Sequence, residues 1–95
     1  MSVLIIGGDR IEPMKEVLRE FGAEEFTHWD GRNVRVNSRK IPDRTDCVVM
    51  MTDFLNHNSM NHFKKEAKRM GIPLVCSKRS VGCLKNQCEQ CLCQR

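Results

Sequence analysis

The residue types best suited to chemistry in this sequence are a histidine and two aspartates. His57 follows Asp53 by four positions, where a helix is expected to begin, and a nearby carboxylate can tune the pKa of an imidazole. Such a histidine could donate a proton or a hydrogen bond, or bind a metal ion. A structural histidine bonded to a neighbouring carbonyl is an equally good interpretation. Asp9 and Asp53 could bind a cation or a ligand hydroxyl, although capping of their own helices is the favoured role.

A glycine pair marks a second candidate for a binding site. Gly7 and Gly8 precede Asp9 and Arg10, and without side chains they let the main chain approach a ligand closely. The run lacks the full GxGxxG spacing of dinucleotide-binding loops, so it is a weak nucleotide signal, and both glycines could equally be ordinary turn residues. No Ser-His-Asp or Cys-His set can be assigned by spacing, so the sequence leaves enzymatic activity open.

Two further histidines must be considered as members of the same candidate site. His62 is five residues after His57, which is roughly 140° around a helix. The two histidines therefore cannot share one helical face, and a two-histidine metal site on that helix is disfavoured. His28, with the adjacent Trp29, could join the site or contribute to a dimer contact.

Cysteines crowd the C-terminal end in the pattern C-x4-C-x2-C-x-C, formed by Cys83, Cys88, Cys91 and Cys93. The first three match the spacing of plant-type iron–sulfur proteins, and four thiolates suffice for zinc or for a cluster. On a regular helix, however, Cys83 and Cys93 each lie about 140° from Cys88. A metal site would therefore require the last turns to unwind, or thiols from two subunits to meet.

An alternative interpretation places two of these thiols in the core. Cys88 and Cys91 continue the apolar stripe of Val81 and Leu84, and buried cysteine behaves as a small hydrophobic residue. Two other cysteines of the chain, Cys47 and Cys76, fall in expected strands and are predicted to be core.

Composition bounds the partners and the compartment. The net charge of +4 and the pI near 8.9 permit an anionic partner without demanding one. A basic run could contact nucleic acid, although such runs are more often solvated, and one tryptophan with no tyrosine limits base stacking. Its members are Arg32, Arg35, Arg39, Lys40 and Arg44. No segment is apolar enough to span a membrane, so we expect a cytoplasmic protein with reduced or metal-bound cysteines.

The elements that must position these residues alternate along the chain. Short apolar or β-branched runs predict strands at residues 2–8, 25–30, 46–52 and 72–77. Amphipathic stripes predict helices at residues 11–21, ended by Gly22, and at 59–69, ended by Gly71, with a short final helix from Ser80. Residues 32–45 are expected to be mainly loop. The cations of the second helix, Lys64, Lys65, Lys68 and Arg69, are expected to form a solvated face.

This order predicts one α/β domain over residues 1–95. Right-handed crossovers would give a small, open, mostly parallel sheet of about four strands with helices on both faces, a truncated Rossmann-like or flavodoxin-like arrangement. In such sheets ligands bind beyond the carboxyl ends of the strands. The residues expected there are Gly7, Gly8, Asp9 and Arg10; Thr52, Asp53, Asn56, His57 and Asn58; and Lys78, Arg79 and Ser80.

Three parts of the chain resemble a small bacterial family known as domain of unknown function 2325. They are VLIIGGDR at residues 3–10, VVMMTDFLNHNSMNHFKKEAKRMGIPLV at residues 48–75, and the short helix after Ser80. The most specific marker is Thr52-Asp53 followed by His57, then Lys64 or Lys65. The resemblance covers nearly the whole chain and supports the fold and the site location, but it implies no catalytic residues. The cysteine-dense end is not expected of the family, so the resemblance implies no role for those thiols.

Three functional hypotheses follow. The favoured one is a non-catalytic domain that binds or senses a small anionic ligand or cofactor near Gly8, Asp53 and His57, as a homodimer with no membrane partner. The second is a metal or redox protein that holds zinc, an iron–sulfur cluster or a haem through the terminal thiols or a histidine. The third is a nucleic-acid-associated protein that uses the basic run.

Overall fold

The computed structural model describes residues 1–8, 11–29, 41–52, 57–78 and 80–92. Its elements are β1 Ser2–Ile6, α1 Glu12–Glu20, β2 Glu25–Trp29, β3 Cys47–Met51, α2 His57–Met70, β4 Leu74–Ser77 and α3 Val81–Leu92. Every strand and helix predicted from the sequence is present, with bounds within a few residues of the expected ones. Of the predicted loop at residues 32–45, the described part is residues 41–45, which contains a turn.

The four strands form one parallel sheet in the order β2-β1-β3-β4. This is the order of the first four strands of a flavodoxin-like sheet, so the predicted fold class is confirmed. From β1 the chain moves first to β2 on one side and later to β3 on the other. The strand order therefore reverses between β1 and β3, which is the place where open α/β sheets leave a crevice for ligands.

Helices cover both faces of the sheet, as predicted. Val3 and Ile5 of β1 share a buried cluster with side chains of α1 and α3, whereas Leu4 and Ile6 share one with Phe63 and Ala67 of α2. Alternate residues of a strand point to opposite faces, so a strand buried on both must be apolar throughout. This explains the unbroken apolar runs of the two central strands.

The outer turns of α3 correct one expectation. Leu84 and Cys88 are fully buried, but Val81 is 42% exposed and Cys91 is also exposed. The prediction that Cys91 and Val81 belong to the buried stripe is therefore wrong. A helix of 12 residues is about 18 Å long, whereas a four-residue strand such as β4 spans about 13 Å. The helix is thus about one turn longer than the strand, so the strand cannot cover its whole length.

Among the helices described, none combines the length and the apolar character that crossing a lipid bilayer requires. The cytoplasmic location remains a prediction.

Candidate functional site

The main chain turns sharply where β1 ends. Gly7 and Gly8 are both buried and adopt positive φ angles of 91° and 84°. This region is strained for any residue with a Cβ atom and costs glycine little. The backbone conformation therefore requires glycine at both positions. They lie at the carboxyl end of β1, as the sequence predicts.

Strand β2 holds Gly7 through two hydrogen bonds. The Gly7 N–H donates to the Trp29 carbonyl at 2.8 Å, and the His28 Nε2 lies 3.0 Å from the Gly7 carbonyl oxygen. Because a carbonyl can only accept, the Nε2 atom must carry a proton. The sequence named His28 only as a residue that could join the site. The pairing of Ile5 with His28 shows why its half-buried ring reaches this edge.

The ends of β3 and β4 are joined by a side chain. Thr52 Oγ1 donates to the Ser77 carbonyl at 3.3 Å, and Ser77 Oγ donates to the Lys78 carbonyl at 2.8 Å. Ile6 pairs with Met50 at the end of β1, and Thr52 directly follows β3. Gly8 and Thr52 therefore both lie at the carboxyl edge, just past the ends of these two neighbouring strands.

The helices that follow these strands begin at the same edge. Helix α2 starts at His57, as predicted, and Asn58 is exposed in its first turn. Helix α1 starts at Glu12, and its N-cap residue Ile11 makes no side-chain capping bond. The first N–H groups of a helix have no partner within the helix and carry a partial positive charge. Two such positive ends therefore face the carboxyl edge.

Ser80 has a structural role at this edge. Its Oγ atom accepts a bond from the Cys83 N–H at 3.4 Å, and its carbonyl accepts one from the Leu84 N–H at 2.9 Å. This is the geometry of a helix N-cap, so the hydroxyl is committed to the start of α3.

The structure brings Gly7, Gly8, Thr52, Ser80 and the start of α2 to one edge of the sheet. The predicted site residues Asp9, Arg10, Asp53, Asn56 and Arg79 lie outside the described residues, as does the side chain of His57. Their roles remain predictions. Lys78 is described and exposed.

The described cysteines form no metal centre. Within the described ranges no group of three or more histidine, cysteine or acidic side chains could hold a metal ion. Cys83 is half-buried, Cys88 is buried and Cys91 is exposed, while Cys93 lies outside the described residues. A metal site that includes Cys93 remains a prediction.

Cys47 is buried near these thiols. The spacing of the cysteines along the sequence could not predict that proximity. Burial, with smaller contributions from the nearby Cys88, Cys91 and Asp46, raises the pKa of Cys47 to about 12. Burial also raises the pKa of Cys76, whereas Lys64 acts to lower it. Both thiols are therefore protonated at neutral pH, and a protonated thiol is neither a good nucleophile nor a ready metal ligand. The core position predicted for Cys47 is confirmed, and Cys76 is partly buried.

The basic side chains lie away from the core. The four cations of α2 are exposed, which agrees with the predicted solvated face, and Arg69 forms an ion pair with Glu66 at 2.6 Å. Of the basic run proposed to contact nucleic acid, Arg44 is described and exposed. Arg32, Arg35, Arg39 and Lys40 lie outside the described residues, so nucleic-acid binding remains a prediction.

Comparison with known proteins adds a family and no activity. The model of a family described as an uncharacterized protein conserved in bacteria (DUF2325) matches residues 2–91. No curated protein and no solved structure shows significant similarity to the chain. The match includes the whole carboxyl edge and ends before Cys93.

Proposed function

This chain belongs to DUF2325, a family of uncharacterized proteins conserved in bacteria, and from its own geometry we propose that it is a non-catalytic ligand-binding or sensory domain. Its carboxyl edge binds a small anionic ligand between β1 and β3. The observation that carries the proposal is the reversal of strand order at this point, flanked by two glycines with positive φ. Sheets of this type bind ligands where the order reverses.

The charge of the ligand follows from the main chain. The positive ends of α1 and α2 both lie at the carboxyl edge, on opposite faces of the sheet, and N–H groups at helix starts favour negative charge. The first turn of α2 contains no acidic residue, so no carboxylate within that turn offsets its positive end. In α1, Glu12 lies in the first turn, but Lys15 Nζ lies 3.8 Å from its carboxylate. Among the described residues, these charges favour a phosphate or carboxylate group at this edge over a cation.

A binding experiment with a matched control tests the site. Titration calorimetry with inorganic phosphate and a set of mononucleotides would compare the wild type with His57→Ala and His62→Ala. We expect the first substitution to abolish binding with little change in melting temperature, because His57 begins α2 at the edge. His62→Ala should bind as the wild type does, since His62 lies a turn and a half further along α2 and contacts the Phe63 ring. Equal affinity of all three proteins would reject this site.

Native mass spectrometry gives an independent test. Protein purified gently from a bacterial host should carry a small acidic molecule that dissociates on unfolding. A chain that shows its own mass alone, and that binds neither phosphate nor any mononucleotide, would contradict the proposal.

We also propose that the protein is a homodimer that pairs through β4. This strand lies at one end of the sheet, its four residues carry no charge, and Leu74 and Cys76 are half-buried. Uncharged edge strands are templates for pairing with another chain. Light scattering should show a dimer that Leu74→Lys converts to a monomer, whereas Thr27→Lys on the opposite edge strand should stay dimeric. A monomeric wild type would reject the dimer and leave the ligand site untouched.

A further inference from the structure

Two thiols lie about one turn apart near the end of α3. Cys88 and Cys91 are separated by three positions, and Cys91 is the last residue but one of the helix. Residues with this spacing are neighbours on a helix surface, with about 5–6 Å between their Cβ atoms. A disulfide needs about 3.5–4.5 Å between the same atoms. A small movement of the helix end would therefore bring the two sulfurs into bonding distance.

The two thiols differ in their access to solvent. Cys91 is exposed, whereas Cys88 is fully buried in the cluster that also contains Cys47 and Leu84. An oxidant in solution therefore reaches Cys91 first. An exposed thiol beside a second thiol is typical of cysteines that are oxidised reversibly, because the second thiol reacts with the first oxidation product.

Cys47 is also nearby but is less well placed to react. It lies in the central strand β3, paired with Val3 of β1, and its thiol donates to the Val48 carbonyl at 3.9 Å. Burial raises the pKa of Cys47 to about 12, and the thiolate is the reactive form of cysteine. The end of a helix, by contrast, opens at little cost in free energy. Cys88 is therefore the better partner for Cys91.

From this arrangement we infer that Cys88 and Cys91 form a reversible disulfide on exposure to hydrogen peroxide, so that the end of α3 is a site of oxidative modification. The Cys91 thiolate attacks one peroxide oxygen, the O–O bond breaks, and hydroxide leaves and takes up the proton that Cys91 lost. The product is a sulfenic acid. The Cys88 sulfur then attacks the Cys91 sulfur, the S–O bond breaks, and the hydroxyl leaves as water with the Cys88 proton. Two thiols thus lose two hydrogens, and one peroxide becomes two waters.

Peptide mapping after peroxide treatment tests this inference. Trypsin cleaves after lysine and arginine, so residues 86–95 form one peptide with three cysteines. Cys93→Ser leaves Cys88 and Cys91 as its only thiols. In the folded Cys93→Ser protein we expect peroxide to lower the mass of this peptide by about 2 Da, the two hydrogens lost, and dithiothreitol to restore it.

The remaining cysteines report on selectivity in the same experiment. Each lies in a tryptic peptide of its own, and each should be alkylated as a thiol when the treated protein is unfolded. They are Cys47, Cys76 and Cys83.

Two further substitutions in the Cys93→Ser protein separate the partner thiol from a general effect of losing a cysteine. Cys88→Ala removes the partner, so Cys91 should be oxidised to sulfinic or sulfonic acid, which dithiothreitol does not reverse. Cys83→Ala is the matched control, because Cys83 is half-buried on the same helix and about 140° around it from Cys88. Its disulfide should form as in the parent protein.

Several results would overturn the inference. They are a disulfide to another cysteine peptide or between two chains, irreversible oxidation of Cys91 while Cys88 remains a thiol, and no reaction of either residue. If Cys88→Ala does not fold, the map of the Cys93→Ser protein decides alone. The inference does not depend on the proposed ligand site, so each of these results leaves that proposal unchanged.

Discussion

The two edges of this sheet are built from different interactions. At the amino edge, carboxylates join the strands: the Ser2 N–H donates to Asp46 Oδ2 at 2.8 Å, and Ser2 Oγ donates to Glu25 Oε2 at 3.1 Å. At the carboxyl edge, the described side chains of His28 and Thr52 donate to main-chain carbonyls. Side chains join neighbouring strands at both edges, but carboxylates accept the bonds at the amino edge and main-chain carbonyls accept them at the carboxyl edge. We infer that stability is concentrated at the first and binding at the second.

The largest expected effect concerns the thiol at the amino end of β3. Below about pH 9 the Cys47 thiol is protonated in both the folded and the unfolded chain. The free energy of unfolding therefore does not depend on this thiol's titration in that range. Above its ordinary pKa of 9.0 the unfolded chain loses the proton, but the folded chain keeps it until a pKa of about 12. Stability should therefore fall by about 1.4 kcal/mol per pH unit across that window.

Denaturant unfolding between pH 8 and 11, under reducing conditions, measures this slope. Cys47→Ala should remove most of it, whereas Cys91→Ala, which replaces an exposed thiol, should retain it. If the wild type and Cys47→Ala show the same slope, Cys47 is not the buried group responsible.

The next effect contrasts a glycine at each edge. Gly8→Val and Gly22→Val each force a β-branched residue into positive φ, at 84° and 98°, and each should lose about 1–3 kcal/mol of stability. A Cβ atom on Gly22 would meet nothing within 4 Å, so its cost comes from the backbone alone. Gly8→Val should also abolish phosphate binding, while Gly22→Val preserves it. Calorimetry on folded protein would show this difference, and equal binding by both variants would remove Gly8 from the site.

The smallest effect tests the amino edge alone. Asp46→Ala removes the acceptor of the Ser2 N–H and should cost about 1 kcal/mol, since the bond is exposed to solvent. Phosphate affinity should not change. Asp43→Ala, an exposed aspartate three residues earlier, is the control and should change stability less. A loss of phosphate binding in Asp46→Ala would break the division of roles between the two edges.

Much of the fold was predictable because buried strands and helices have recognisable patterns of apolar residues in the sequence. The apolar runs at Leu4 and Val48 predict central strands, and the spacing of Met14, Val17 and Leu18 predicts one buried helical face. Parallel pairing then places the strand ends at one edge, so Gly8 and Thr52 could be assigned to it before their geometry was known.

The features that the sequence could not predict depend on the register of paired strands and on the relative lengths of packed elements. The bond from His28 to Gly7 joins residues 21 positions apart and requires the pairing of β1 with β2. The approach of Cys47 to Cys88 likewise depends on how α3 crosses the sheet. Cys91 is exposed because α3 is longer than β4, and the spacing of apolar residues along a helix gives no information about that difference in length.

We propose that an anion binds at the carboxyl edge of the sheet and not at the amino edge. The most direct measurement is a ¹H–¹⁵N titration of the wild type with inorganic phosphate, read at both edges at once. We predict saturable shifts at Gly7, Gly8 and Thr52, with the amides of Ser2, Glu25 and Asp46 unchanged. Shifts confined to the amino edge or to the lysines of α2, or no saturable shift at all, would contradict it.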